Sequence, residues 1–248
     1  NLQNSNIIFD TFYVVAIIYG ISEATKEFLK KMPKEVKTLD DIDKIHQKLT
    51  EEYDDLDNKG LISKFSRWNK KRQIKKIEEN TDSKEHKGAR GEVQALEKLS
   101  ELSDDYHVFC GVNKELKKYV TYRRKRNLKS AQMDFVVVSK RGVSVIEVKN
   151  WSSHYYKNHY GLPPHEQVDR AGRVLWISLK SSWFGPKDPP ISSVLLAIQG
   201  NINNDDGYGY VIVKNLNNIN YYLQNRNEQF SEKEVQRLIG RVKGDITK

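Results

Sequence analysis

Two apolar strands meet at a short turn in the middle of the chain, and charged residues interrupt both of them. The stretch is AQMDFVVVSKRGVSVIEVKN, residues 131–150, with the turn SKRG at residues 139–142. Apolar residues on both sides of each strand are typical of a hairpin buried in a sheet. Asp134, Glu147 and Lys149 do not fit such a core, because a buried ion costs several kcal/mol unless it is paired or neutralised. These residues therefore either form structural ion pairs or bind a ligand.

The turn predicts which of these polar residues face each other. Any symmetric turn at residues 140–141 places Asp134 opposite Glu147 and Gln132 opposite Lys149. Directly opposed side chains have Cβ atoms about 4.5–5.5 Å apart. Two carboxylates at that spacing repel each other unless a proton or a cation lies between them.

Strand alternation predicts how the two faces of this hairpin are divided. The four polar residues share a face with Val136, Val138, Val143 and Val145. The opposite face is predicted to consist of Phe135, Val137, Ile146 and Val148.

Opposed carboxylates suit a divalent cation. Mg²⁺ prefers oxygen ligands and takes one or two protein carboxylates, which Asp134 and Glu147 offer, and the carbonyl of Val148 is a further candidate ligand. Lys149 cannot ligate while charged, but it can orient an attacking water or stabilise charge on a phosphate. The alternative is an ion pair of Lys149 with either acid at the edge of the sheet.

The rest of the chain predicts a mixed α/β fold. Residues 1–80 have helical patterns, with one helix opening at Thr38 and a basic one at residues 61–79. A polar stretch at residues 80–93 resembles a domain boundary and is followed by a helix from Glu92 to about residue 102. The remaining predicted elements are strands at 106–112, 132–138, 143–149 and 191–199, a late strand and connector at 211–223, and a helix capped by Ser231.

An apolar run at residues 6–21 is the one segment that could meet a membrane. Its uninterrupted part covers residues 12–21, well short of the roughly 20 residues that span a bilayer. The run therefore predicts a core or interface helix, although further apolar residues upstream could extend it into an anchor.

Charge and cysteine content narrow the class of protein. The formal net charge is +9 and the pI is about 9.3, which suits a polyanionic partner, with nucleic acid first and an anionic membrane surface second. Cys110 is the single cysteine, which excludes an intramolecular disulfide and a cysteine-based zinc site, and makes a reducing cytosol the natural setting.

The basic residues are concentrated just before the polar hairpin. Residues 114–129 read KELKKYVTYRRKRNLK, with Glu115 as the one acid. Tyr119 and Tyr122 are interleaved and could stack on bases. The alternative is a solvated loop. The predicted nucleic-acid-binding residues are Lys117, Lys118, Tyr122, Arg123, Arg124, Lys125, Arg126 and Lys129.

Four short motifs in order resemble the NERD (nuclease-related) domain of the PD-(D/E)xK nuclease superfamily. They are a Gly-x-x-Gly-Glu helix start, a Gln-x-Asp strand start, a glycine turn with an Ile-Glu-x-Lys strand end, and a Pro-x-x-Gln helix. The matching positions are Gly88, Gly91, Glu92, Gln132, Asp134, Gly142, Ile146, Glu147, Lys149, Pro164 and Gln167. Met133 stands where the superfamily name has proline, and Phe135 stands where many relatives have histidine. The resemblance covers about residues 85–200.

The resemblance implies a restriction-endonuclease-like core in residues 85–248, preceded by a helical module in residues 1–80. It implies a Mg²⁺- or Mn²⁺-dependent nuclease acting on DNA, or alternatively RNA, in DNA processing or defence. The resemblance also implies that Asp134 and Glu147 bind the metal. Glu92 would add an outer or second-metal carboxylate, and Lys149 would position the attacking water.

The resemblance implies roles for two glutamines, while the rest of the chain leaves two other functions and a partner surface open. Gln132 and Gln167 are expected to make supporting contacts in the catalytic site. A fold that binds nucleic acid without cleaving it, and an adaptor that docks through residues 7–21, are the two alternatives. The module at residues 1–80 is a candidate surface for a protein partner or a homo-oligomer.

Overall fold

A central sheet carries the strands that the sequence predicts. The computed structural model describes residues 16–20, 23–34, 41–56, 61–81, 83–152, 161–180 and 188–245. The strands are β1 Ile17–Tyr19, β2 His107–Tyr122, β3 Lys125–Ser139, β4 Gly142–Asn150, β5 Ile191–Gln199 and β6 Val211–Asn215, and they form a six-stranded sheet in that order. The described helices are α1 Glu23–Lys30, α2 Asp41–Asp54, α3 Leu61–Thr81, α4 Lys84–Ser100, α5 Pro164–Leu179, α6 Leu216–Gln224 and α7 Glu232–Lys243. The mixed α/β fold with a central sheet flanked by helices is thus confirmed.

The central hairpin has the predicted register. Strands β2, β3 and β4 are antiparallel, whereas β1 is parallel to β2, and β5 and β6 are parallel to β4. Val136 pairs with Val145, and the turn closes with Gly142, whose φ of 120° is a conformation that favours glycine. The ladder between β3 and β4 ends at Phe135, one position before Asp134.

Each face of the sheet supports its own core. The valines at positions 136, 138, 143 and 145 pack with α5 and α7. Phe135, Val137, Ile146 and Val148 pack with α4 and α6. The predicted division of the hairpin is therefore confirmed for its apolar residues.

Strict alternation breaks down at Asp134. Met133 and Val136 lie in the same core, although alternation would place them on opposite faces. On the neighbouring strand Gly111 has a φ of 60°, while Cys110 pairs with Phe135 and Val112 with Met133 in one register. Both paired strands change face here without a change of register, so alternation does not fix the face of Asp134, and its place on the valine face stays a prediction.

The apolar segment at the start of the chain is a strand where it is described. Ile17–Tyr19 pair with β2, and the Tyr19 ring stacks on Phe109 at 4.6 Å between centroids. The helix prediction for residues 6–21 is wrong for this part, because pairing with the edge of β2 outweighs the local pattern. Residues 1–15 lie outside the described residues. Among the described helices, none combines the length and apolarity needed to cross a membrane.

Two other element predictions need correction. Helix α4 begins at Lys84, well before Glu92, because Ser83 caps it by accepting a hydrogen bond from the His86 N–H at 3.0 Å. The late connector is the helix α6, which Asn215 caps through a capping box. The helices α2 and α3, strand β5 and the helix after Ser231 are confirmed.

The N-terminal helices pack against the first half of α4. Their shared core consists of Phe28, Met32, Ile42, Leu49, Ile77 and Ala89. Phe28 is fully buried and stacks on His86 of α4, with ring centroids 4.7 Å apart. The division into a module at residues 1–80 and a domain at residues 85–248 stays a prediction.

Candidate active site

A cavity of about 470 Å³ opens where β4 ends, beside the first half of α4. Five predicted site residues line it: Glu92, Asp134, Glu147, Val148 and Lys149. Its other lining residues are Lys87, Gly88, Asn150, Trp151, Ser152 and Gln199. Elements far apart in sequence thus bring the predicted acids into one concave space.

The pKa of the Asp134 carboxyl is raised strongly by its surroundings. Its Oδ2 accepts a hydrogen bond from the Val148 N–H at 2.7 Å, which ties β3 to β4 one position beyond the last pair of their ladder. Withdrawal from bulk water raises the pKa of the Asp134 carboxyl well above its ordinary value, and negative charge on Glu147 and Glu92 raises it further. The hydrogen bond from Val148 and the charge of Lys149 oppose this rise without cancelling it.

Lys149 forms an ion pair with Glu147. Its Nζ lies 2.6 Å from Glu147 Oε1, and each side chain is only 13% exposed. The same Nζ lies 5.2 Å from the centre of the Trp151 ring. This is one of the two ion pairs that the sequence leaves open, and it leaves Asp134 with the Val148 N–H as its hydrogen-bond donor.

Glu92 reaches the cavity from within α4. It is 8% exposed, and its charge raises the pKa of both Asp134 and Cys110, the latter to about 12 after the larger effect of burial. Because α4 begins at Lys84, Glu92 is an interior residue of the helix and not an acid at its N-terminus. The favourable position that a helix N-terminus offers to an acid therefore does not account for Glu92.

The glycine motif allows α4 to approach the end of β4. A Cβ on Gly91 would lie 2.6 Å from the Asn150 Cβ, whereas a Cβ on Gly88 would meet nothing within 4 Å. Asn150 Nδ2 donates to the Lys87 carbonyl at 2.7 Å, and its Oδ1 is buried without a hydrogen-bond partner. Sequence reasoning missed Asn150, since one amide after a strand is not a specific signal.

Gln132 and Gln167 are not brought to the cavity. Gln132 is exposed and pairs with Asn113 of β2. Gln167 lies in the first turns of α5, where its Nε2 donates to the Leu162 carbonyl at 2.9 Å. Neither belongs to the described lining of the cavity, so the structure does not place them beside the carboxylates.

The oxygen atoms that line the cavity are of the kind that a hard cation such as Mg²⁺ prefers. The carboxylates of Asp134, Glu147 and Glu92 line one cavity. Burial raises the pKa of Asp134 most, and the negative charge of Glu147 and Glu92, which a cation would offset, raises it further. Within the described parts of the chain, no three histidine, cysteine, aspartate or glutamate side chains are grouped closely enough to hold a metal together. One or two carboxylates are the usual protein contribution to a Mg²⁺ site.

Most of the cavity lining comes from a segment that matches a known protein family. Residues 87–198 match the model of the nuclease-related domain family, NERD. The chain contains a NERD domain. The matched segment begins at Lys87 on the cavity wall and ends within β5. No curated protein and no solved structure matches the chain.

The basic segment of the NERD domain is a hairpin and not a loop. It joins β2 to β3 through a turn at Arg123 and Arg124, whose φ angles are 45° and 67°. The exposed cations are Lys117, Lys118, Arg123, Arg124, Lys125 and Arg126. Lys129 forms an ion pair with Glu115 at 2.5 Å.

Tyr122 does not have the predicted stacking role. It is 7% exposed, and its hydroxyl donates to Asp169 Oδ2 at 2.7 Å. The prediction is wrong because Tyr122 points toward α5 and joins the core on that face. Tyr119, the other interleaved tyrosine, is 55% exposed.

Proposed function

We propose that the NERD domain hydrolyses phosphodiester bonds in nucleic acid and uses Mg²⁺ or Mn²⁺ as its cofactor. The observation that carries the proposal is the position of Asp134, whose carboxylate shares a cavity with two other acids and has a strongly raised pKa. Clusters of like charge that shift a pKa in a cleft are typical of functional sites.

Asp134 and Glu147 would hold the cation, with the Val148 carbonyl and Glu92 as further oxygen donors. When bound, the cation supplies Lewis acidity toward a phosphate oxygen and lowers the pKa of a bound water. Lys149, already 2.6 Å from Glu147, orients the attacking water and stabilises negative charge on the phosphate. The Val148 N–H holds Asp134 in place through its 2.7 Å hydrogen bond.

The substrate is DNA in the first instance, with RNA as the alternative, and the use is DNA processing or defence. The exposed cations of the β2–β3 hairpin support a polyanionic substrate, because phosphate contacts supply most of the affinity for nucleic acid that does not depend on sequence.

A cleavage assay tests the proposal. Plasmid DNA, linear DNA and RNA are incubated with Mg²⁺, Mn²⁺ or EDTA. We expect cleavage with the cations, none in EDTA, and a loss of at least about 100-fold in Asp134→Asn and Lys149→Met. Asp104→Asn, a change at an exposed acid outside the cavity lining, is the matched control and should cleave as the wild type does. Cleavage that persists in EDTA, or in Asp134→Asn, contradicts the metal site.

A second candidate function is nucleic-acid binding without cleavage. The ion pair of Lys149 with Glu147 favours it, because that lysine already has a partner in the cavity. Binding that persists while no cation supports cleavage would select this function instead.

A further inference from the structure

Residues 114–129 form a two-stranded arm that leaves the sheet beside the cavity. Strand β4 pairs with β3 only as far as Phe135, and it ends at Asn150 on the cavity wall. Strands β2 and β3 continue past this point; their register shifts between Glu115 and Val120 and again after Val120, and they pair up to Tyr122 and Lys125. The arm therefore projects from the same end of the sheet as the candidate active site.

The inner face of the arm is joined to α5. Leu116, Tyr122 and Leu128 are buried in the core that contains α5. Besides the hydrogen bond from Tyr122 to Asp169, Arg170 Nη2 donates to the Asn127 carbonyl at 3.0 Å. Apolar packing and hydrogen bonds thus hold this face of the arm in one orientation.

The tip of the arm is joined to a short turn that precedes β6. Arg123 donates to the Gly207 carbonyl, and its guanidinium carbon lies 3.7 Å from the centre of the Tyr208 ring. Tyr208 in turn donates through its hydroxyl to Glu166 Oε2 on α5 at 2.8 Å. Arg123 is thus engaged in holding the tip, whereas its neighbour Arg124 is exposed.

The outer face of the arm combines an exposed ring with cations. Tyr119 is 55% exposed, and Lys129 Nζ lies 5.8 Å from the centre of its ring. Arg126 Nε donates to the Tyr119 carbonyl at 3.2 Å, and Lys117 is exposed two positions before the tyrosine. An exposed aromatic ring among cations, on a strand pair held from behind, matches the surfaces that bind unpaired nucleotides.

We infer that the outer face of the arm binds single-stranded nucleic acid, with Tyr119 stacked on an unpaired base and Lys117, Arg124 and Arg126 along the phosphates. The inference rests on the proposed function and deepens it, because it names the strand form of the substrate. Backbone cations serve single strands and duplexes alike, but the flat face of a base is accessible to a tyrosine ring only where the base is unpaired.

Tyrosine variants test the stacking. The affinity of wild type, Tyr119→Phe and Tyr119→Leu is measured for a fluorescent oligonucleotide, single-stranded or annealed as a blunt duplex, in EDTA so that no cation-dependent cleavage occurs. We expect Tyr119→Leu to weaken single-strand binding on the order of 10-fold, Tyr119→Phe to bind as wild type, and duplex affinity to change little in both. Equal single-strand affinity in all three proteins, or an equal loss on the duplex, overturns the inference.

The adjacent arginines provide a matched pair. Both have positive φ, so alanine has a similar backbone cost at either position. Arg124→Ala should reduce the slope of log affinity against log salt by about 0.7, the value for one phosphate contact on a single strand. Arg123→Ala should weaken binding without changing that slope, because its role is to hold the tip. A slope that falls in Arg123→Ala but not in Arg124→Ala contradicts this assignment.

These measurements are independent of cleavage. Single-strand binding that fails in EDTA, while cation-dependent cleavage persists, overturns the arm as the binding surface and leaves the proposed nuclease intact. Binding that follows the Tyr119 variants, in a protein that cleaves nothing, supports the arm and contradicts the nuclease.

Discussion

At the scale of single residues, the ionised form of Asp134 is favoured by one hydrogen bond and disfavoured by burial and by neighbouring acids. The Val148 N–H holds its carboxylate at 2.7 Å, while the surroundings exclude bulk water and bring Glu147 and Glu92 near. Such a residue lowers the stability of the metal-free protein when it is ionised. A bound cation would reverse that effect.

The first prediction concerns Asp134→Asn in EDTA. A pKa that is raised in the folded state means that the wild type is most stable below the unfolded pKa and loses stability as pH rises through the folded pKa. Asparagine never acquires the charge, so the variant should be more stable by about 1–3 kcal/mol at pH 7. The difference should become small only below about pH 4, where the carboxyl is protonated in the unfolded chain as well. Urea denaturation at several pH values measures this.

Asp104→Asn is the control for this series, because Asp104 is exposed and should change the free energy of unfolding by less than about 0.5 kcal/mol. If Asp134→Asn is less stable than wild type at pH 7, the prediction is wrong, because the groups around the ionised carboxylate then offset the cost of burying it without a metal.

At the scale of elements, the approach of α4 to the end of β4 shapes the cavity. Gly91 lies against the Asn150 side chain, and Asn150 Nδ2 donates to the Lys87 carbonyl. Glu92 follows Gly91, so its position in the cavity depends on this contact. The Gly-x-x-Gly-Glu pattern alone indicates a helix start, whereas the structure explains Gly91 by close packing inside the helix.

The second prediction compares two glycines of α4. Alanine is favoured over glycine in a helix by about 1 kcal/mol, and Gly88→Ala should gain part of this because a Cβ there meets nothing within 4 Å. Gly91→Ala should instead destabilise the protein by about 1–3 kcal/mol, since the new Cβ would lie 2.6 Å from the Asn150 Cβ. The free energy of unfolding of both variants is measured by urea denaturation. Equal stability of the two variants would contradict this packing.

Pairing between distant elements also explains the wrong element predictions. Ile17 and Ile18 lie in an apolar run that local patterning assigns to a helix, but β2 offers an unpaired edge that they join as β1. The basic segment becomes an arm because Leu116 and Leu128 find partners on α5. Local periodicity cannot report such partners.

At the scale of the molecule, the N-terminal helices and the cavity meet on α4. Phe28 of α1 stacks on His86, and Lys87 next to it lines the cavity. The packing of residues before the NERD domain therefore reaches one wall of the candidate active site.

The third prediction uses this connection. Phe28→Ala should cost about 3–5 kcal/mol, as expected for a fully buried phenylalanine, and should also weaken Mn²⁺ binding, measured by titration calorimetry below the unfolding transition. Phe230→Ala removes a buried ring from the core of the other sheet face and should leave Mn²⁺ affinity unchanged at a comparable loss of stability. The same Mn²⁺ affinity in both variants would show that the packing of the N-terminal helices does not affect the candidate metal site.

The sequence by itself determined the central hairpin: its turn at Gly142, its register as far as Phe135 and Ile146, and its two apolar faces. These features follow from backbone periodicity and turn chemistry, which act between residues close in sequence. Tertiary structure decided that Glu92 enters from the middle of α4, that Lys149 pairs with Glu147, that Tyr122 is buried and that Asn150 lies against Gly91. Each of these depends on which distant element packs beside the residue, and a local pattern does not specify that.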